Sequence, residues 1–155
     1  KTYSGGMKQR LLIAQAFLGD PKVVFMDEPT AGLDPKERIR IRNLISEMAL
    51  GKIVLIATHI VSDVEYISKE ILLLKHGEII GSGNPESLEK ELYGIVYEKK
   101  VTVEQLKEIQ DKYLVAGIRE EGNQVVVRYL DSKSDEETTV WPTLDDVYLY
   151  HFYKE

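Results

Sequence analysis

Two short apolar runs stand out in the pattern of hydrophobic and polar positions along the chain. They cover residues 23 to 26 and 53 to 57, and polar residues follow each one directly: Asp27 and Glu28 after the first, Thr58 and His59 after the second. Such runs are typical of strands buried on both faces of a parallel sheet. Because ligands bind at the carboxyl ends of parallel strands, we expect these polar residues at one functional edge. The alternative is structural: an acidic turn after a buried strand, and a lone histidine in a loop.

Helices are predicted on either side of the first run. Ser4 is placed to cap a mostly buried helix that ends at Gly19, and the two glycines after Ser4 leave its first amides bare. Bare amides and a hydroxyl at a helix N-terminus suit a phosphate, although a plain cap and turn explain the same residues. Asp34 and Glu37 predict a capping box for a second helix. Its arginines are expected on a solvated face: Arg38, Arg40 and Arg42.

The pattern changes further along the chain. A strand at residues 71 to 74 and an antiparallel return at 79 to 80 precede a helix that begins at Asn84. From Gly94 onward the alternation of polar and apolar residues predicts a small α+β unit. It begins with a helix capped by Thr102 and Gln105 and continues with a hairpin of residues 114 to 119 and 124 to 130. An acidic loop at 131 to 137, a strand near 138 to 141 and a last helix after Pro142 complete it. The predicted fold class is α/β with parallel strands, followed by this α+β appendage.

Composition narrows the classes of function. The 155 residues are 43% hydrophobic and 30% charged, which is ordinary for a globular protein. The net charge of -6 argues against non-specific binding of nucleic acid. The sequence contains no cysteine, which excludes disulfides and thiolate metal sites. No apolar run approaches the roughly 20 residues that span a bilayer.

Four short motifs, in a fixed order, resemble those of the nucleotide-binding domain of ABC transporter ATPases. They are the signature motif at residues 4 to 9, the Walker B strand with its following glutamate at 23 to 28, the D-loop at 31 to 34 and the switch histidine at His59. Together the four are specific, although each is weak by itself. The resemblance implies a P-loop NTPase (RecA-like) fold for residues 1–93. It leaves residues 94–155 as an accessory or regulatory domain, in which residues 141 to 149 resemble, more loosely, the tail of exporter-type members.

The resemblance also implies roles for individual residues. Asp27 would hold Mg²⁺, Glu28 would be the general base that polarises the attacking water, and His59 would contact this water and the γ-phosphate of ATP. In the family the signature residues act on the nucleotide held by a partner subunit. The residues implied to bind nucleotide in this way are Ser4, Gly5, Gly6 and Gln9, together with Asp34, which would carry the D-loop contact across the dimer.

The function implied is that of the ATP-hydrolysing subunit of an ABC exporter at the cytoplasmic face of the cell membrane. Its expected partners are a second nucleotide-binding subunit and transmembrane permease subunits, and no nucleic acid. A non-transport ABC ATPase in translation or DNA maintenance is the alternative. Residues 94 to 155 contain neither the second signature motif nor the sustained heptads that would favour that alternative.

Three elements of the family are missing from these residues. The sequence lacks a glycine-rich phosphate loop ending in Gly-Lys-Ser or Gly-Lys-Thr, and with it the glutamine loop and the aromatic residue that stacks on adenine. We therefore expect the chain to be the C-terminal half of a subunit. We also expect that it neither binds nor hydrolyses ATP appreciably by itself.

Overall fold

The computed structural model describes residues 3 to 131 and 139 to 153. Its internal contacts divide the chain into two compact units, Lys1–Ile67 and Ser68–Glu155. The domain boundary predicted between residues 93 and 94 is a different division and stays a prediction. The acidic loop predicted after Asp131 lies outside the described residues, as does the first residue of the strand predicted near 138. Within the two described ranges, no helix is long and apolar enough to cross a membrane.

From residue 3 onward, the first unit is built from two parallel strands and three helices. The elements are α1 Gly5–Ala16, β1 Val23–Asp27, α2 Pro35–Met48, β2 Ile53–Ala57 and α3 Val61–Ile67. β1 and β2 pair in parallel, with Val23 opposite Ile53 and Asp27 opposite Ala57. Both strands therefore end at the same edge, and the residues that follow them are neighbours in space.

The core of this unit lies on one face of the two-stranded sheet. α1 and α2 cover that face, and the core is formed by Ile13, Phe17, Val24, Met26, Ile41 and Ile45. The prediction of a strand buried on both faces is wrong for β1 in this unit, because Phe25 points away from both helices and is 75% exposed. The prediction of a mostly buried α1 is also wrong, since Leu11 and Leu12 lie on its exposed side.

In its described residues, the second unit contains a hairpin, a three-stranded sheet and three helices. The elements are β3 Ile71–Lys75, β4 Glu78–Gly83, α4 Pro85–Glu91, β5 Val96–Val101, α5 Val103–Lys112, β6 Leu114–Glu121, β7 Gln124–Leu130 and α6 Leu144–Tyr153. β3 and β4 pair antiparallel around His76 and Gly77, whose φ angles are both positive, as a tight hairpin turn requires. The three-stranded sheet has the order β5-β7-β6 and is antiparallel throughout.

A buried ion pair joins this sheet to α6. Asp146 is 1% exposed and accepts hydrogen bonds from Arg128 on β7, at 3.0 Å from Nε to Oδ1 and 2.5 Å from Nη2 to Oδ2. The hydrogen bond from Arg128 to this carboxylate raises the pKa of Arg128 despite its burial. Asp146 Oδ2 also accepts from the Thr143 amide at 2.7 Å, and the Thr143 hydroxyl accepts from the Asp146 amide. The start of α6 is thus capped and tied to the sheet by one carboxylate.

Candidate active site at the carboxyl ends of β1 and β2

The chain turns sharply where β1 ends. Glu28 has a φ angle of +46°, a left-handed conformation that is uncommon for a residue with a side chain. Its amide donates to the Ala57 carbonyl at 2.8 Å, which extends the pairing of β1 and β2 by one residue. A conformation of this kind costs about 1 to 3 kcal/mol and persists where the surroundings enforce it, often at functional sites. The backbone at Glu28 is therefore held by β2.

The loop after β2 holds the Glu28 carboxylate. Oε2 accepts a hydrogen bond from the Thr58 hydroxyl at 3.0 Å, and Oε1 accepts one from the His59 amide at 3.1 Å. Nδ1 of the His59 ring lies 2.6 Å from the same Oε1. An ionised carboxylate can only accept, so Nδ1 carries the proton of this contact and Nε2 remains for a second partner.

These contacts keep Glu28 ionised. Burial by itself raises the pKa of Glu28, but hydrogen bonds from the His59 ring, the Thr58 hydroxyl and the His59 amide outweigh it and lower the pKa below its ordinary value of 4.5. The Glu28 side chain is 33% exposed and that of His59 is 71% exposed. Water can therefore reach a carboxylate that is charged at neutral pH.

Asp27 has a different environment from Glu28. It lies opposite Ala57 in the sheet and its side chain is exposed. An exposed carboxylate fits Mg²⁺, which binds proteins through one or two carboxylates and keeps several waters. In the described part of the chain there is no cluster of three or more side chains suited to a metal ion.

The N-terminus of α1 is capped as predicted, with Ser4 Oγ accepting from the Met7 amide at 3.3 Å. The two glycines that follow have different surroundings. A Cβ added at Gly5 would meet nothing within 4 Å, whereas one at Gly6 would lie 2.6 Å from Oε2 of Glu37. Gly6 therefore lets α2 pack closely against α1, and Gly5 is the glycine with open space around it. Gln9 lies one turn further along, partly exposed.

Asp34 caps α2, and its Oδ1 accepts from the Glu37 amide at 2.9 Å. The rest of the predicted capping box does not form, because the Glu37 side chain is engaged elsewhere. It pairs with Arg40 and lies 3.7 Å from Arg10 of α1. Glu37 consequently joins the start of α1 to the start of α2, which places the signature and D-loop residues on adjoining helix ends.

The predicted site residues thus form two groups in the structure. Glu28 and His59 are in contact, with Asp27 adjacent in the chain. The second group consists of the helix starts that carry Ser4, Gly5, Gly6, Gln9 and Asp34. No hydrogen bond or ion pair between described residues joins one group to the other. The sequence patterns predict both groups but do not predict a contact between them.

A buried polar cluster lies beside the first group and was not predicted from the sequence. The Thr30 hydroxyl donates to Oδ2 of Asp63, and Nη1 of Arg42 lies 3.5 Å from Oδ1 of the same carboxylate. The prediction that Arg42 belongs to a solvated face is wrong, because its side chain is only 13% exposed. The signal that the sequence offered for this cluster was the position of its members near the pair: Thr30 follows Glu28 by two residues, and Asp63 follows His59 by four.

Comparisons with known proteins agree with these motifs. The sequence model of the family described as ABC transporter matches residues 1–31. The chain is 38% identical over 110 residues to ABC transporter A family member 8 of Dictyostelium discoideum, an alignment that covers 71% of this chain and 13% of that protein. It is 42% identical over 92 residues to the Nod factor export ATP-binding protein I of Rhizobium johnstonii, covering 59% of this chain and 30% of that one.

A third relative, the uncharacterized ABC transporter ATP-binding protein YxlF of Bacillus subtilis, is 39% identical over 89 residues, which is 57% of this chain and 30% of that protein. The chain therefore spans less than a third of the length of each of these relatives. The matched residues include the signature motif and the strand that ends in Asp27 and Glu28. The chain belongs to the ABC transporter family, and its similarity is to the ATP-binding proteins of that family.

Proposed function

We propose that this chain belongs to the ATP-binding and ATP-hydrolysing component of an ABC transporter. The observation that carries the proposal is the contact between Glu28 and His59 at the ends of two parallel strands. Transfer of a phosphoryl group to water requires a positioned water and groups that compensate the charge of the phosphate. A carboxylate that is ionised at neutral pH and open to water, beside an imidazole with one free ring nitrogen, suits both requirements.

Glu28 and His59 take separate roles in the proposed reaction. Glu28 orients the attacking water and accepts its proton as the new bond to the γ-phosphorus forms and the bond from that phosphorus to the bridging oxygen breaks, with ADP as the leaving group. Because its pKa is lowered, Glu28 is available as an acceptor at neutral pH and acts mainly by orienting and polarising the water. His59 Nδ1 donates to Glu28, and Nε2 is the atom proposed to contact the γ-phosphate, as a donor when the ring carries both protons. The Thr58 hydroxyl keeps the second oxygen of Glu28 in place.

The remaining motif residues are proposed to bind the metal and the nucleotide. Asp27 is the proposed ligand of Mg²⁺, which neutralises charge on the phosphate oxygens when it is bound. Ser4, Gly5, Gly6, Gln9 and Asp34 are proposed to act on ATP held by a second nucleotide-binding subunit. The capped N-terminus of α1 and the open space at Gly5 support this, since a helix N-terminus attracts anions.

The cellular setting is proposed from the relatives and from the end of the chain. We propose that the whole protein powers export, with transmembrane permease subunits, at the cytoplasmic face of the membrane. The name of the Nod factor export ATP-binding protein and the loose resemblance of residues 141 to 149 to exporters support this direction. Residues 94–155 are proposed as an accessory or regulatory domain. If their removal from the full-length protein left ATPase activity and its stimulation by substrate unchanged, the regulatory role would be excluded.

ATP binding by these 155 residues alone is proposed to be weak. The sequence contains no glycine-rich phosphate loop, the element that supplies most contacts to the β- and γ-phosphates in P-loop enzymes. Titration calorimetry of the 155-residue chain with Mg-ATP is expected to give no measurable binding. A dissociation constant in the millimolar range or tighter would contradict this proposal.

The sharpest test of the proposed function is Glu28→Gln in the full-length protein. The amide keeps the size of the side chain but no longer accepts a proton, so we expect steady-state ATP hydrolysis to fall by about 100-fold or more. ATP binding is expected to persist. Glu65→Gln is the matched control, because Glu65 is exposed on α3 and belongs to neither group of site residues. Hydrolysis by Glu28→Gln at a rate close to that of the wild type would exclude Glu28 as the base.

A further inference from the structure

Two buried polar side chains follow the two members of the Glu28–His59 pair. Thr30 is 1% exposed and Asp63 is 2% exposed, and the Thr30 hydroxyl donates a hydrogen bond to Oδ2 of Asp63. Thr30 lies in the loop after β1, two residues beyond Glu28, whereas Asp63 lies at the start of α3, four residues beyond His59. This hydrogen bond therefore links the two loops that carry the pair.

Arg42 on α2 completes the cluster. Its Nη1 lies 3.5 Å from Oδ1 of Asp63 and donates to the Ser62 carbonyl at 3.0 Å, and its guanidinium is 4.6 Å from the centre of the Tyr66 ring. A buried carboxylate is costly unless it is paired and hydrogen-bonded. Asp63 has a partner for each oxygen, so the cluster has one well-defined arrangement and connects both loops to a long helix.

Hydrogen bonds along the loop after β2 connect this cluster to the pair of Glu28 and His59. The Asp63 amide donates to the Ile60 carbonyl at 3.0 Å, and the Ile60 amide donates to the Thr58 hydroxyl at 3.1 Å. That hydroxyl in turn donates to Glu28. Glu28 and His59 are themselves partly or largely exposed, so water competes for their contact and a rigid support is needed to keep it.

We infer that Thr30, Asp63 and Arg42 form a positioning bracket, which fixes the loops after β1 and β2 relative to each other and so keeps Glu28 in contact with His59. The three residues are positioning residues, because Asp63 pairs with both Thr30 and Arg42, and Arg42 also contacts Ser62 and Tyr66 of α3. The kinetic consequences of this inference rest on the proposed function. Its geometric consequence, the contact of Glu28 with His59, is measurable without ATP.

Nitrogen NMR of labelled histidine tests the geometry. The chain contains three histidines, so the imidazole spectrum is simple: His59, His76 and His151. We expect the wild type to show a hydrogen-bonded Nδ1–H at His59 whose signal changes in Glu28→Gln. Thr30→Val removes the hydroxyl and is expected to abolish this signal, whereas Thr30→Ser keeps the hydroxyl and is expected to retain it. The signals of His76 and His151 serve as internal controls.

A folded Thr30→Val chain with an unchanged His59 signal would overturn the bracket. If Thr30→Val does not fold, Arg42→Lys tests the bracket through the contact of Arg42 with Asp63. Lysine keeps the charge but loses the planar fork of the guanidinium and its stacking on Tyr66. The His59 signal is then expected to shift towards that of Glu28→Gln. An unchanged signal in Arg42→Lys would equally refute the bracket.

Kinetics of the full-length protein separate this inference from the proposed function. Loss of positioning lowers kcat, by roughly tenfold or more, and leaves the KM for ATP unchanged, whereas Thr30→Ser is expected to keep most of the activity. If Glu28→Gln hydrolyses ATP like the wild type, the proposed function fails and the NMR result alone decides on the bracket. If Glu28→Gln is inactive but Thr30→Val and Thr30→Ser have equal kcat, only the bracket fails.

Discussion

We predict a large loss of stability when the buried carboxylate at the start of α6 is removed. Asp146→Ala removes the acceptor of the hydrogen bonds from Arg128 and from the Thr143 amide. It leaves a guanidinium that is only 18% exposed without its main counter-charge. Asp145→Ala is the matched control, because Asp145 occupies the same first turn of α6 but is exposed.

The magnitude follows from what the deletion leaves behind. Removal of one partner from a buried ion pair costs about 3 to 5 kcal/mol, because the remaining charge stays buried. Arg128 keeps Glu98 at 3.2 Å and the Trp141 carbonyl at 2.8 Å, so the lower end of this range is expected. Asp145→Ala loses at most the favourable interaction of an acid with the helix N-terminus, about 0.3 to 1 kcal/mol.

Urea denaturation followed by tryptophan fluorescence measures this difference. Trp141 is the single tryptophan of the chain and belongs to the second unit, so its signal reports the unit in which the change is made. We expect the free energy of unfolding to fall by about 3 kcal/mol in Asp146→Ala and by less than about 1 kcal/mol in Asp145→Ala, with the same dependence on urea. Equal midpoints for the two variants would refute the structural role assigned to the Arg128–Asp146 pair.

Three further predictions concern the first unit. Urea denaturation is expected to show Gly5→Ala more stable than Gly6→Ala by about 1 kcal/mol, since both gain helix propensity but only the second displaces Glu37, and equal stabilities would contradict this packing. Asp34→Ala is expected to cost about 1 kcal/mol and to speed amide exchange in the first turn of α2, whereas Asp34→Asn keeps an acceptor and stays near the wild type. Because the folded-state pKa of Glu28 is lowered, its stabilising effect is present above its unfolded pKa of about 4.5 and is lost as the pH falls further. Acid titration of stability is therefore expected to show the wild type losing more than Glu28→Gln below that pH, and parallel curves would contradict it.

The local elements of the fold could be predicted from the sequence, because their causes lie within a few residues. Helix caps form at four of the predicted N-cap residues, each accepting a hydrogen bond from an amide three positions along: Ser4, Asp34, Asn84 and Thr102. The capping box predicted from Ser62 and Glu65 is wrong, because α3 already begins at Val61 and Ser62 lies inside its first turn. The tight turn at His76 and Gly77 and the long hairpin of β6 and β7 have equally local signals. The proximity of Glu28 and His59 could be predicted for a related reason, since parallel pairing brings the ends of the two strands together.

Features that depend on distant partners could not be predicted in this way. β5 was missed because Glu98 and the lysines that follow it interrupt the apolar pattern of residues 96 to 101. In the structure Glu98 is paired with Arg119 on β6 and with Arg128 on β7, so its charge is compensated by strands more than 15 residues away. An apolar run does not show which face of its strand is covered by helices. The exposure of Phe25 could therefore not be predicted from the run to which it belongs.

The buried cluster of Thr30, Asp63 and Arg42 beside the candidate site could not be predicted for the same reason. Thr30 and Asp63 are 33 residues apart, and neither belongs to a recognisable motif for hydrogen bonding. Arg42 alternates with other arginines along α2, which suggests a solvated face until α3 is known to pack beside it. Only the packing of the elements shows that these three side chains meet.

The claim that Glu28 and His59 work as one unit in hydrolysis is tested most directly by a double-mutant cycle on kcat in the full-length protein. The cycle compares the wild type with Glu28→Gln, His59→Ala and the double variant, with ATP binding measured for each. Residues that act as a unit are strongly non-additive, so we expect the double variant to be no slower than Glu28→Gln alone. If the two losses multiply, or if either single variant hydrolyses ATP like the wild type, the pair does not perform the reaction as a unit.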